Sequence, residues 1–512
     1  MTSRPGGAVG VATTIGLGTA AAIPIGFVAV ALPPAVKVVL LAVGAISLTG
    51  WAVWQLLVPA LGRARGWTEA ASGGVVVDVV LLWLFIEASW TGLWRGPGGL
   101  RVADLLLLGL ALYGLVGIRT APPAVRRVLA VLAGAFGLVV LGALLAALES
   151  GAKATDVEAV ARAGFAMLFI PAVVVRFVRS EWRLEAVLLA TVVSVAVASI
   201  AALGTQITGA WILPFADDFG GARSYGLSNH PALFGIAAAG ALPLGVGLAV
   251  TSRGVVRVVA ALCIPLLLVG TVLSASRAPL AAGALAVLLL LLALGTGGRR
   301  GRVVLVSVLV AIAAVAGTAF PERLERLSDP SAQRSALARV ELVTTAIDEV
   351  AASPLVGQGA NTIKGGRGLN PTDTSWAGAT TGLRVGGGSG DREAGTHNLI
   401  LQSWRALGLV GLIGTSAAII VGLVCGIRAA RRVGGGQTPA LAKAVLASVG
   451  VVLLCLMVFD AVFERQLWLG IGLLCALGVS LPAPLAGTAP AESASGEPGG
   501  ARSRLRAVDA AG

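Results

Sequence analysis

Residues 257–297, RVVAALCIPLLLVGTVLSASRAPLAAGALAVLLLLLALGTG, indicate the fold class most directly. One membrane crossing needs about 20 apolar residues, because a helix of that length spans a bilayer core of about 30 Å. This stretch is about twice as long, and the polar insert SASRAP (274–279) lies near its middle. The stretch therefore predicts two membrane-spanning helices joined by a minimal turn.

The same kind of apolar run recurs along the whole chain. Hydrophobic residues make up 56% of the 512 residues and charged residues only 12%, whereas a soluble domain carries about 25% charged residues. The sequence predicts an all-α integral membrane protein, a bundle of about fourteen transmembrane helices. The expected crossings are at residues 9–32, 36–60, 74–94, 102–118, 128–148, 159–177, 184–204, 231–250, 257–275, 278–297, 303–320, 397–427, 443–460 and 466–482.

The basic residues predict how these helices are oriented. The net charge is +13, but the arginines form short clusters between apolar runs rather than one basic surface. Such clusters are typical of the cytoplasmic loops of membrane proteins, so nucleic acid is not an expected partner. The richest clusters fall in alternate loops, which we predict to be cytoplasmic. With an even number of crossings, both termini are expected on that side.

The motifs predict no cofactor and no metal site. The sequence has no G-K dipeptide and therefore no nucleotide-binding Walker loop. Two histidines and scattered cysteines do not make a common zinc site. The cysteines lie inside apolar runs and form no C-x-x-C pair, so we interpret them as small buried side chains. They are Cys263, Cys425, Cys455 and Cys475.

Two long loops are predicted on the outer side, at residues 205–230 and 321–396. The second contains a predicted amphipathic helix at 331–352, because apolar residues recur there three or four positions apart. Those residues are Leu337, Val340, Val343 and Ile347. The proline and glycines of SPLVGQG (353–359) are expected to end the helix.

Two further segments lack the periodicity of a helix. Residues 364–395 are rich in glycine and threonine, which predicts a mobile flap that substrate could order. Residues 483–512 are rich in Pro, Ala, Gly and Ser. Such a tail cannot bury enough apolar surface to fold, so it is expected to be disordered.

Polar side chains gather at the predicted outer ends of the crossings. They are Arg223, His230, Arg277, Arg339 and His397. Four of them have a structural interpretation: an interfacial arginine at 277, a solvated helix face at 339, a helix cap at 230 and a helix start at 397. His397 would begin a helix capped by Thr396. In a functional interpretation, the arginines bind an anion and His397 exchanges a proton near neutral pH.

Acidic residues offer a second kind of site. Asp217 and Asp218 could hold a metal or serve as a base, although adjacent acids in a flexible stretch are more often solvated. Four other acids lie in or near crossings and could be structural partners of arginines, but their spacing does not pair them. They are Asp78, Glu87, Asp460 and Glu464.

Four stretches together resemble the O-antigen ligases and their polymerase relatives, and they stand in the same order. They are RSYGLSNHPALFG (223–235), SASRAPLA (274–281), RVELVTTAIDEVAASPLVGQGANT (339–362) and THNLILQSWRALGLVG (396–411). The resemblance covers about residues 220–425, and the last two stretches carry most of its specificity. Elsewhere the chain is similar to the family only in being helical and membrane-spanning.

The resemblance implies an activity and a set of site residues. Such proteins move a glycan from a polyprenyl-pyrophosphate carrier to a glycan, lipid or protein acceptor, at the outer face of the bacterial cytoplasmic membrane. Arg277 and Arg339 match the family's motif arginines and would bind the pyrophosphate, with Arg223 as a third ligand. His397 matches the family's histidine and would take the proton of the acceptor hydroxyl. No metal is required if arginines replace it.

The resemblance also divides the chain into regions. Residues 1–204 would be N-terminal transmembrane helices, 205–427 the ligase-like catalytic region, and 428–482 C-terminal transmembrane helices. A cytoplasmic tail would follow at 483–512. One departure stands out: family members often carry a glutamate where this sequence has Ala406, next to the basic Arg405.

Other classes of function fit parts of the sequence. A lipid-linked glycan flippase or another polytopic transporter would also have many crossings, although no internal repeat is evident and the charges gather at one face rather than the midplane. A different glycosyltransferase could use Asp217 or Asp218 with a divalent metal. A purely structural membrane scaffold leaves the long outer loop unexplained.

Overall fold

The structure is a computed structural model that describes residues 71–88, 90, 102–116, 118, 121–150, 160–208, 224–228, 230–295, 330–359, 398–432, 437–459 and 464–479. Within these residues every regular element is helical. The helices are α1 (Ala71–Glu87), α2 (Val102–Val116), α3 (Pro123–Ser150), α4 (Val160–Phe177), α5 (Glu181–Thr208), α6 (Pro231–Thr251), α7 (Gly254–Leu273), α8 (Arg277–Ala293), α9 (Pro330–Ala352), α10 (Leu399–Ala430), α11 (Gln437–Leu456) and α12 (Arg465–Val479). A π-helical stretch, Phe165–Phe169, lies within α4.

Seven of the described helices, α3 to α7, α10 and α11, are long and apolar enough to cross a membrane, and α8 and α12 are shorter apolar helices. Each predicted crossing from 74–94 to 278–297 and from 397–427 onward has a helix at its position. The predicted crossings 9–32, 36–60 and 303–320 lie outside the described residues, as does the tail 483–512. The protein is thus a multi-spanning helical membrane protein, as predicted.

The stretch 257–297 forms the predicted pair of helices. Helix α7 ends at Leu273, three residues make the turn, and α8 begins at Arg277. Ser274 closes the turn, because its Oγ donates to the Thr271 carbonyl at 2.7 Å and accepts from the Ser276 amide at 3.3 Å. The polar insert therefore works by replacing helical hydrogen bonds where the chain reverses.

Helix α6 is the centre of the bundle. It is built mainly of Ala, Gly, Leu and Val and is buried along most of its length, with α5, α7, α8 and α11 around it. Small residues allow neighbouring helices to approach closely in a membrane, and Gly283 of α8 accordingly lies against Ala239 of α6. The four cysteines are buried and free, as predicted.

Two ion pairs join α1 to its neighbours. Asp78 pairs with Arg183 of α5, and Glu87 pairs with Arg465 of α12, each at 2.8 Å. Glu87 is only 1% exposed. The sequence suggested arginine partners for these two acids, and the structure identifies them.

Replacing Arg465 with alanine is expected to lower the free energy of unfolding by about 3 kcal/mol, because Glu87 stays buried after its partner is lost. Thermal unfolding of the detergent-purified protein measures the change. Adding Glu87→Gln to Arg465→Ala should recover most of the lost stability. Arg253→Ala, at an exposed arginine, is the matched control. A double variant no more stable than Arg465→Ala would contradict this explanation.

Candidate functional site

One end of the bundle collects the polar turns and helix starts. We call it the loop end: there α5 and α11 finish and α6, α8 and α10 begin. Gln206 at the end of α5 donates to Ser224 Oγ at 2.9 Å, and the Ser224 amide donates to the Leu273 carbonyl at 3.0 Å. At the end of α11, the Met457 carbonyl accepts from Asn398 Nδ2 at 3.3 Å. These contacts place the turn before Arg277 and the start of α10 at the same end.

Arg277 is the first residue of α8 and is exposed. Its helix starts after Ser276, whose side chain makes no capping hydrogen bond. The N-terminus of a helix carries a partial positive charge. The guanidinium and the helix end therefore add two positive contributions at one place, which suits an anion.

His230 caps α6, as the structural interpretation predicted. Its Nδ1 accepts a hydrogen bond from the Ala232 amide at 3.0 Å, and its ring lies 5.1 Å from that of Phe459. An accepting Nδ1 carries no proton, so in this arrangement the imidazole is neutral with its proton on Nε2.

Helix α10 begins with a different capping residue from the one predicted. The predicted cap, Thr396, is wrong: Asn398 caps the helix, and its Oδ1 accepts from the amides of Ile400 and Leu401 at 3.0 Å each. An asparagine two residues further on is an equally good cap, and capping rules alone do not choose between them. His397 directly precedes this cap in the chain and lies outside the described residues.

Helix α10 is broken at Gly408, which has φ 64° and ψ −173°. The loop that follows α9 fits into this break. Gln358 donates its amide to the Arg405 carbonyl at 2.8 Å, Gly359 donates to the Ala406 carbonyl at 3.1 Å, and the Leu409 amide donates to the Pro354 carbonyl at 3.1 Å. The part of α10 before the break, residues 399–407, is therefore held by the loop.

A side-chain ion pair strengthens the same contact. The Arg405 guanidinium binds the Glu349 carboxylate of α9 through Nε to Oε2 and through Nη2 to Oε1 at 3.1 Å. The Arg405 side chain is 6% exposed and that of Glu349 27%. Arg405, noted in the sequence only as a departure from the family, thus has a partner on another element. Ala406 beside it is fully buried.

Helix α9 matches the predicted helix 331–352 closely. Val340 and Ile347 are exposed, whereas Ala346 and Val350 are buried. The helix packs on α10. Arg339 lies in α9, two turns before Ala346.

Several predicted site residues fall outside the part of the chain that the structure describes. They are Arg223, Asp217, Asp218 and His397, together with the flap 364–395. The structure therefore brings Arg277 and the start of α10 to one end of the bundle and leaves the positions of these residues open. Among the described residues, no group of three or more His, Cys, Asp or Glu could hold a metal.

The fold and the loop end define a multi-spanning membrane protein with a polar site at one end of its helices. Residues 259–416 match the model of the protein family described as O-antigen ligase. This match confirms the resemblance to the O-antigen ligases seen in the sequence. A search of curated proteins gave no match to the chain.

The matched region contains three of the four predicted site residues. Arg277, Arg339 and His397 lie inside it, and so do α9, its loop and the break in α10. Arg223 and the stretch 223–235 lie before it. The family supports glycan transfer or ligation as the general activity of an enzyme of the glycosyltransferase kind.

Proposed function

We propose that this protein transfers or polymerises a glycan, from a polyprenyl-pyrophosphate carrier to an acceptor hydroxyl, at the outer face of the bacterial cytoplasmic membrane. The observation that carries the proposal is the family match at residues 259–416, because it includes Arg277, Arg339 and His397. The polar loop end of the bundle supports it. The acceptor is a glycan, a lipid or a protein.

The arginines are proposed to bind the pyrophosphate. A guanidinium binds phosphate oxygens through two parallel charge-assisted hydrogen bonds. Arg277 is exposed at the positive end of α8, and Arg339 would contribute from α9, with Arg223 as a third ligand. Charge that grows on a departing phosphate is stabilised most by preorganised positive groups. In this proposal the arginines take the place of a metal.

His397 is proposed as the general base. The acceptor oxygen bonds to the first sugar carbon of the donor while the bond from that carbon to the pyrophosphate oxygen breaks. The acceptor proton passes to His397, and the electron pair of the broken bond leaves with the pyrophosphate. Such a base contributes about 10²–10⁴-fold to the rate. Its position beside the helix cap Asn398 would keep it at the membrane surface.

The charge distribution supports the proposed orientation. Arg253 at the start of α7 and Arg428 near the end of α10 are exposed and lie at the end opposite to the loop end. Cytoplasmic loops carry the excess of basic residues. The loop end would then face outward, with both termini in the cytoplasm.

The proposal is tested by transfer in proteoliposomes. Purified wild-type protein is expected to move glycan from a polyprenyl-pyrophosphate donor to an added acceptor in the presence of EDTA, because arginines rather than a metal balance the charge. Chromatography of the labelled glycan measures the product. If no acceptor receives glycan while the labelled donor crosses the bilayer, the protein is a flippase. If EDTA alone stops transfer, Asp217 and Asp218 become the residues to change.

A further inference from the structure

The broken helix α10 and the loop after α9 form a distinct device. We infer that residues 353–359, with the Glu349–Arg405 ion pair, act as a clamp that positions the first part of α10 for transfer. Glu349, Arg405 and Gly408 are then positioning residues. The inference rests on the proposed function, because it concerns the same site.

The backbone half of the clamp restores hydrogen bonds that the break removes. In an unbroken helix the carbonyls of Arg405 and Ala406 would accept from amides four residues later. Here the amides of Gln358 and Gly359 take that role, at 2.8 and 3.1 Å. In return the Leu409 amide donates to Pro354. Buried helix ends need such partners, so the loop supplies both sides of the break.

Two glycines make this fit possible. Gly357 has φ 78° and Gly408 has φ 64°, a region that side chains rarely adopt. A Cβ added to Gly408 would collide with the Leu355 carbonyl, and one added to Gly357 would collide with the Gly408 amide. The two backbones therefore touch directly, and alanine at either position would separate them.

Side chains extend the clamp to three helices. Glu349 of α9 binds Arg405 of α10, and Trp404 Nε1 donates to the Pro354 carbonyl at 2.8 Å. Ser353 Oγ donates to Oε2 of Glu149, at the end of α3, at 3.3 Å. The bidentate Glu349–Arg405 pair fixes the angle between the two side chains as well as their distance. The loop is thus tied to both α3 and α10.

The clamp joins the two elements that carry the predicted chemistry. Helix α9, which contains Arg339, ends directly before it, and residues 399–407 begin two residues after His397. Because the hydrogen bonding of α10 is interrupted at Gly408, the direction of residues 399–407 depends on the loop. A shift of about 1 Å between reacting groups can cost about 10²-fold in rate. The clamp would hold that spacing.

The test compares Glu349→Gln and Gly408→Ala with wild type in two measurements. Hydrogen exchange followed by mass spectrometry reports the amides of Gln358 and Gly359. Steady-state transfer reports kcat and the donor KM. Both variants are expected to speed exchange in peptides covering 353–359 and to lower kcat about 10- to 100-fold, with the donor KM little changed. The exchanged pair Glu349→Arg with Arg405→Glu should recover part of kcat.

Gly450→Ala is the matched control, because no atom of the described residues lies within 4 Å of a Cβ added to this glycine of α11. It should change neither the exchange nor kcat. Faster exchange with unchanged kcat would overturn the positioning role. Rapid exchange of Gln358 and Gly359 in the wild type would overturn the clamp itself. Wild-type protein that transfers no glycan but protects these amides would refute the proposed function while leaving the clamp in place.

Discussion

Replacing His397 with alanine is expected to reduce glycan transfer by about 10²–10⁴-fold, the usual contribution of a general base. No other side chain in the stretch 396–411 titrates near neutral pH. The acceptor hydroxyl would then have to lose its proton to water. The measurement is the kcat for transfer in proteoliposomes, with a donor concentration well above KM.

The second histidine provides a matched control. His230 also lies at the loop end, but it caps α6 through Nδ1. His230→Asn keeps a good capping residue, so it should leave both stability and transfer close to wild type. If His397→Ala transfers as fast as His230→Asn while both proteins remain folded, His397 only starts a helix. Asp217 would then be the next residue to replace.

Much of the helical architecture could be predicted from hydrophobic run length alone. The reversal at 274–276 was predictable because a polar insert in an apolar run of that length leaves few other solutions. The pairing of Glu87 with Arg465 was not, since 378 positions separate the two residues and spacing carries no information about contacts between distant helices.

The clamp was equally hidden in the sequence. The predicted crossing 397–427 is longer than the roughly 20 residues that a membrane needs, but its length does not show where the helix is broken. SPLVGQG was interpreted only as the end of the helix before it, and nothing in the sequence singled out Gly408. Only the fold shows that the glycine of one segment makes room for the glycine of the other. The spacing of apolar residues predicted helix α9 but not which of its residues are buried, because periodicity indicates a helix face without naming what covers it.

Replacing Arg277 with alanine is expected to lower kcat/KM for transfer by about 10²–10³-fold, the usual loss when one preorganised group is removed from a developing negative charge. Lysine at this position keeps the charge but not the paired geometry of a guanidinium. Arg277→Lys should therefore recover part of the activity and not all of it. The measurement is kcat/KM for the polyprenyl-pyrophosphate donor.

The two interpretations of Arg277, as an interfacial residue or as a pyrophosphate ligand, predict different activities for these variants. An arginine that only reaches the membrane surface with its charged end could be replaced by lysine without loss, since both side chains snorkel. A pyrophosphate ligand could not. Arg253→Ala is the control, because Arg253 is also exposed at a helix start but lies at the opposite end of the bundle. If Arg277→Ala and Arg253→Ala both stay within about twofold of wild type in kcat/KM, Arg277 is an interfacial residue. The phosphate would then depend on Arg339 and Arg223.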